Sequence, residues 1–66
     1  MHILITRHAK EKTIALGISI DDVKKAINQG SKTKQTEGLL ACYAYYCVAY
    51  KIIGDKFYKI KTVYLR

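Results

Sequence analysis

Two neighbouring residues near the start of the chain, Arg7 and His8, carry side chains that can act on a phosphodiester. Cleavage of RNA through its own ribose 2′-hydroxyl needs a group that takes a proton, a group that gives one, and a cation beside the phosphoryl oxygens. Both residues fall in the first turn of a predicted helix, where free N–H groups favour a phosphate. They are therefore candidate catalytic residues. The alternative is that His8 packs beside Ala9 while Arg7 is solvated.

Basic residues are concentrated in the closing segment of the chain. Lys59 and Lys61 lie two positions apart in a predicted strand, so both are expected to point the same way, with Arg66 at its end. Lys51 belongs to the same basic stretch. Lysines along one strand face can follow a phosphate backbone, which makes these four residues candidates for nucleic-acid binding. The alternative is an ordinary solvated strand face.

Two tyrosines, Tyr58 and Tyr64, are expected on the opposite face of that strand. Tyrosine can stack on unpaired bases, and it is also a good strand-forming residue. We take Tyr58 as a strand residue. Tyr64 remains a third catalytic candidate, as a general acid if cations lie beside its hydroxyl.

The cysteines and histidines do not have the spacing of a zinc site, so neither a metal nor a cofactor is predicted. Cys42 and Cys47 would lie on opposite faces of one extended strand, which excludes a disulfide unless the chain turns between them. We expect buried free thiols.

Gly30 divides the chain into a helical half and a strand-rich half. The first helix is predicted from Arg7 to about Leu16, with Thr6 as its N-cap and Gly17 in the left-handed position after it. The second helix is predicted after Ser19 as N-cap and ends at Gly30. These helices position the candidate Arg7 and His8.

Strands are predicted after Gly30, at positions 31–36, 39–53 and 56–65. The first is polar and suits a sheet edge. The second is long for one strand, so a bend or turn near Tyr45 is an alternative. Residues 2–5 form a short apolar run that is either a first strand or a packed arm. The sequence therefore predicts one α+β domain over residues 1–66, with two N-terminal helices on a three- to four-stranded antiparallel sheet.

Composition narrows the classes of partner. The 66 residues include 12 Lys and Arg against 5 Asp and Glu, a net charge of +7, which favours a polyanion. The chain is too apolar for a disordered tail and has no run that could span a membrane. We expect a soluble cytoplasmic protein. A domain of this size buries only about 60% of its unfolded surface, which favours a homodimer.

Several short motifs occur in a characteristic order along nearly the whole chain: residues 6–12, 17–19, 22–23, 27, 30, 48–51, 54–55 and 60–64. Their order resembles a small family of uncharacterised prokaryotic domains that open with Arg-His-Ala and end on a Thr-Val-Tyr strand. That family resembles the RelE/ParE toxin superfamily, and the Gly-Ile-Ser helix junction is similar to that of BrnT toxins.

The resemblance implies a two-helix body with an antiparallel sheet and, for RelE-like and BrnT-like members, cleavage of RNA without a metal. It also implies a target on RNA or the ribosome and a cognate antitoxin. The chain departs from the family at Thr13, where methionine is frequent, and at Leu16, where a basic residue is frequent. The leading hypothesis is a RelE/BrnT-like toxin-type domain that binds RNA and is a candidate for cleaving it without a metal. The alternative is a non-catalytic module that dimerises or binds a protein.

Overall fold

The computed structural model, which describes residues 1–66, contains two helices and five strands. Strands account for most of the second half of the chain, as its change of hydrophobic period indicates. In chain order the elements are β1 (His2–Ile5), α1 (Arg7–Leu16), α2 (Ile20–Gln29), β2 (Ser31–Gln35), β3 (Gly38–Tyr43), β4 (Tyr46–Ile53) and β5 (Phe57–Leu65).

The helix ends are determined by capping residues, as the sequence predicts. The Thr6 hydroxyl accepts from the backbone N–H of Ala9 at 3.1 Å, and Gly17 closes α1 in the left-handed region with φ 70°. Ser19 and Asp22 form a reciprocal capping box at the start of α2. The backbone and hydroxyl hydrogen bonds from Ser19 hold the pKa of the Asp22 carboxyl below its usual value. Neither helix is long and apolar enough to cross a membrane.

All five strands belong to one mixed sheet in the order β1-β5-β4-β3-β2. β1 pairs with β5 in parallel, and the other neighbours are antiparallel. The α+β class is therefore correct, but the prediction of three to four antiparallel strands is wrong. The apolar run at residues 2–5 is a strand, and both helices lie in the connection that follows it, which is the long crossover that parallel pairing requires.

The long apolar run at positions 39–53 is two strands, because the chain turns at Ala44 and Tyr45. Ala44 adopts φ 54°, which is uncommon for a residue with a side chain and marks a tight turn. The hairpin places Cys42 directly opposite Cys47, and the two are joined by a disulfide bond. The expectation of free thiols is therefore wrong, because it assumed a single extended strand.

The helices pack on one face of the sheet. Ala41, Val48 and Val63 are partners on adjacent strands, are fully buried, and share the core with residues of both helices. The register shifts between Ala49 and Tyr50, so that Ala49 pairs with Thr62 while Tyr50 pairs with Ile60. Lys61 is thus the extra residue of a β-bulge. The bulge explains why neither face of β5 looks uniformly apolar in the sequence.

The second helix is tied to the sheet at both of its ends. The hydroxyl of Tyr46 donates to the backbone oxygen of Asp22 at 2.6 Å. Burial, followed by the charge of Asp22, raises the pKa of Tyr46. At the other end, Gly30 approaches Cys42 so closely that a Cβ atom would lie 2.6 Å from its backbone oxygen. α2 is therefore held against β3 and β4.

Candidate nucleic-acid interface

No helix packs on the second face of the sheet, although Cys47 on that face is itself buried. Residues alternate between the two faces of a strand, and cross-strand partners share a face. The positions between the buried ones on β4 and β5 must therefore point away from the helices. We call this surface the open face; its partner pairs are Cys47 with Tyr64, Ala49 with Thr62, Lys51 with Lys59, and Ile53 with Phe57.

Two lysines lie directly opposite each other on the open face. Lys51 on β4 and Lys59 on β5 are cross-strand partners, and both side chains are exposed. Like charges in this position destabilise a sheet. The one ion pair in the structure joins Arg7 to Glu11, so no carboxylate neutralises either lysine. This lysine pair is therefore suited to a bound anion.

Apolar and aromatic side chains flank the lysine pair. Ile53 and Phe57 form the next cross-strand pair, and each is 42% exposed. Leu4 of β1 is the partner of Lys59 on the other side and is 45% exposed. Proteins that bind single-stranded nucleic acid combine basic side chains, which contact the phosphates, with exposed aromatic rings, which stack on the bases.

The side chain of Lys61 also lies across the open face, although its ammonium group already forms a hydrogen bond. Its ammonium group donates a hydrogen bond to the backbone oxygen of Glu37, in the turn between β2 and β3. Because β4 separates β5 from the start of β3, the Lys61 side chain must cross β4 to reach that turn. Lys61 therefore contributes positive charge near the lysine pair, but it anchors a turn as well.

Arg66 is remote from the lysine pair. Its guanidinium donates to the backbone oxygen of Ala44 at 2.9 Å, and its backbone N–H donates to Tyr45, also at 2.9 Å. It therefore closes the end of the sheet at the β3–β4 turn, about 20 Å along β5 from Lys59. The structure does not bring these two predicted binding residues together.

The two catalytic candidates on α1, Arg7 and His8, point in different directions and contact different residues. The Arg7 side chain is 95% exposed and lies 3.6 Å from the carboxylate of Glu11 one helical turn away. The His8 ring nitrogen Nε2 lies instead 3.0 Å from the hydroxyl of Thr62 on β5. The ring reaches Thr62 round the border of the sheet, because β1 pairs with β5 only as far as Ile60. Nothing in the sequence pairs His8 with a residue 54 positions away, so sequence reasoning missed Thr62.

Tyr64 lies on the open face, not on the face opposite Lys59 as the sequence predicts. The bulge at Lys61 reverses the alternation between Lys59 and Tyr64, so both now point away from the helices. Tyr64 is 39% exposed and lies two positions after Thr62. His8 and Tyr64 are thus brought to the same end of the open face.

Tyr58 lies on the helix side, as a strand residue packed against the core. Its ring is 6.0 Å from that of Tyr50, measured between centroids. Burial, followed by the neighbouring Tyr58, raises the pKa of Tyr50. No group of three or more His, Cys, Asp or Glu side chains is placed to hold a metal ion.

Comparison of the chain with protein-family models, curated proteins and solved structures gives no match.

Proposed function

We propose that the protein binds single-stranded RNA across the open face. The observation that carries the proposal is the direct opposition of Lys51 and Lys59 on an uncovered surface without a neutralising carboxylate. A phosphate between the two ammonium groups would relieve their repulsion, so binding and local stability favour the same ligand. The proposed location is the cytoplasm.

Aromatic side chains support a single strand as the ligand. Phe57 lies two positions from Lys59 on the same face, and Tyr64 lies further along the same strand. Both rings are partly exposed, so both can stack on bases. Stacking needs unpaired bases, which a duplex does not offer.

The motif resemblance to RelE/ParE toxins favours RNA among polyanions and adds cleavage as a hypothesis. His8 and Tyr64 are the two candidates that the fold brings to the open face, and they would exchange the protons. Arg7 is paired with Glu11 and points into solvent, so the cation that cleavage requires is not in place. We therefore propose binding as the function, with cleavage as a separate outcome of its test.

Binding is tested by fluorescence anisotropy with a fluorescein-labelled twelve-nucleotide oligouridine. We expect an affinity that falls with salt, and a salt slope that decreases by about 0.7 for each of Lys51→Ala and Lys59→Ala. The control is Lys24→Ala with Lys25→Ala, on exposed positions of α2. Equal loss in the control, or affinity that is independent of salt, would contradict the proposal.

Stacking has its own test, because removal of a ring leaves the charge unchanged. Phe57→Ala is expected to weaken binding by about 1–3 kcal/mol with an unaltered salt slope, whereas Phe57→Tyr retains most of the affinity. The same RNA, analysed on a denaturing gel, shows whether it is cut. Cleavage that is lost in His8→Ala would add an enzymatic activity.

A protein interface is the second candidate, because Leu4, Ile53 and Phe57 expose apolar surface on the same face. It predicts a dimer, or a complex with another protein, that Phe57→Ala disrupts. Light scattering after size-exclusion chromatography distinguishes the two functions. A Phe57-dependent dimer that does not bind oligouridine would favour the interface.

A further inference from the structure

The strand at one border of the sheet presents an unpaired backbone. β2 is last in the strand order and pairs only with β3, through five consecutive positions without a bulge. All five of its residues are exposed. In an antiparallel ladder, alternate residues direct their N–H and C=O groups to the same side, so β2 directs a row of these groups outward.

The charges on this border are of one sign. Lys32 and Lys34 lie two positions apart and therefore share a face of β2. Neither forms an ion pair, and the ammonium group of Lys32 donates to the backbone oxygen of Gly30 at 2.8 Å. The opposite border strand, β1, has four residues and no lysine. The two borders therefore differ in what they can bind.

The in-register pairings of β2 with β2 of a second copy of the chain oppose like charges. Antiparallel pairing centred on Thr33 would place Lys32 of each copy opposite Lys34 of the other, and in-register parallel pairing would oppose identical lysines. Like charges directly opposite each other destabilise a strand pair. The same lysines would attract a strand that carries carboxylates at alternate positions.

We propose that the β2 border binds an extended acidic peptide segment as a sixth strand. Backbone hydrogen bonds to β2 would provide affinity, and two acidic residues spaced two apart would select the register by facing Lys32 and Lys34. This site is independent of the proposed RNA surface, because it uses the outer edge of β2 and not the open face.

The proposal is tested with a fluorescein-labelled ten-residue peptide of alternating glutamate and threonine at physiological ionic strength. We expect saturable binding in anisotropy and at least tenfold weaker binding of the matched lysine–threonine peptide. A glutamate–threonine peptide with methylated backbone nitrogens keeps its charge but cannot donate hydrogen bonds. It should bind at least tenfold more weakly, and equal binding of the methylated peptide would overturn the proposal.

Charge reversal locates the site. Lys32→Glu combined with Lys34→Glu should reverse the preference, so that the lysine–threonine peptide binds more tightly. The control, Lys24→Glu with Lys25→Glu on α2, keeps the original preference and has the same net charge. If the reversed variant fails to fold, amide hydrogen exchange of the unaltered protein decides. Slower exchange at positions 31–35 with the peptide supports the proposal, and unchanged exchange there overturns it.

Discussion

The lysine pair is a residue-scale feature in which the proposed function and the stability of the unliganded fold oppose each other. Lys51 and Lys59 repel because the register places them directly opposite on adjacent strands. If this pair of positions served stability alone, a residue other than lysine would be expected opposite each lysine. A phosphate bound as proposed would make the same arrangement favourable, and binding sites commonly cost the fold around them some stability.

Removal of one charge from the lysine pair should affect stability and RNA binding in opposite directions. Lys51→Gln should raise the free energy of unfolding by about 0.2–1 kcal/mol, because it removes a like-charge contact, and should weaken RNA binding in the same protein. Urea denaturation at low salt measures the first effect, and high salt should reduce it. Lys24→Gln, on exposed α2, should change neither quantity. A destabilised Lys51→Gln would show that the repulsion is absent.

The candidate site residues could be proposed from their types in the sequence, but the residues that they contact in the fold could not. Lys59 and Lys51 could be proposed from charge alone, whereas their opposition depends on the strand register. The contact of His8 with Thr62 depends on a packing of α1 against β5 that no local pattern records. Tyr64 was placed on the wrong face because a single-residue bulge reverses the alternation beyond it.

At the scale of elements, the helices were predictable because their signals are local. Thr6, Gly17 and Ser19 act on backbone groups within a few residues, so type and spacing determine both helix ends. The strands were less predictable because their partners are distant in sequence. The apolar run at residues 2–5 becomes a strand only because β5 lies beside it.

The capping box predicts how α2 responds to acid. The pKa of Asp22 is lowered in the folded state, so its carboxylate stabilises the fold above the unfolded pKa of about 3.9. This contribution is lost as the pH falls through the lower folded pKa. The Tm difference between the wild type and Asp22→Asn should therefore be large at neutral pH and shrink at low pH. Asp21→Asn, outside the capping box, should show a smaller difference throughout.

The close approach of α2 to β3 predicts that Gly30 tolerates no side chain. A Cβ atom there would lie 2.6 Å from the backbone oxygens of both Ala26 and Cys42. Gly30→Ala should therefore cost about 1–3 kcal/mol through overpacking, although its φ of −75° is ordinary. Gly17→Ala has free space and a left-handed φ, and should cost about 1 kcal/mol. Urea denaturation compares them; a neutral Gly30→Ala would contradict the close packing.

At the scale of the whole molecule, the core is small. Only 13 of the 66 residues are buried, so a single cross-link is a large part of the stability. The disulfide between Cys42 and Cys47 closes the β3–β4 hairpin on which the core residues Val48 and Ala41 depend.

Reduction of this disulfide should therefore lower the Tm. The chain-entropy relation for a loop of six residues gives about 2 kcal/mol, which corresponds to about 10 °C in a domain of this size. Scanning calorimetry with and without a reductant measures the shift. The double variant Cys42→Ser with Cys47→Ser should melt at the lower temperature and be insensitive to reductant. An equal shift in that variant would show that the reductant acts elsewhere.

The parallel pairing of β1 with β5 has a consequence for how the chain assembles. Ile5 meets Ile60, and the Thr6 hydroxyl donates to the same backbone oxygen, so contacts 54 or more residues apart join the beginning of the chain to its end. Contacts of this separation slow folding, because the loop must close before they form. During synthesis, β1 can pair in the sheet only after β5 has been made. A strand that is synthesised later therefore determines when an earlier strand can take its place in the sheet.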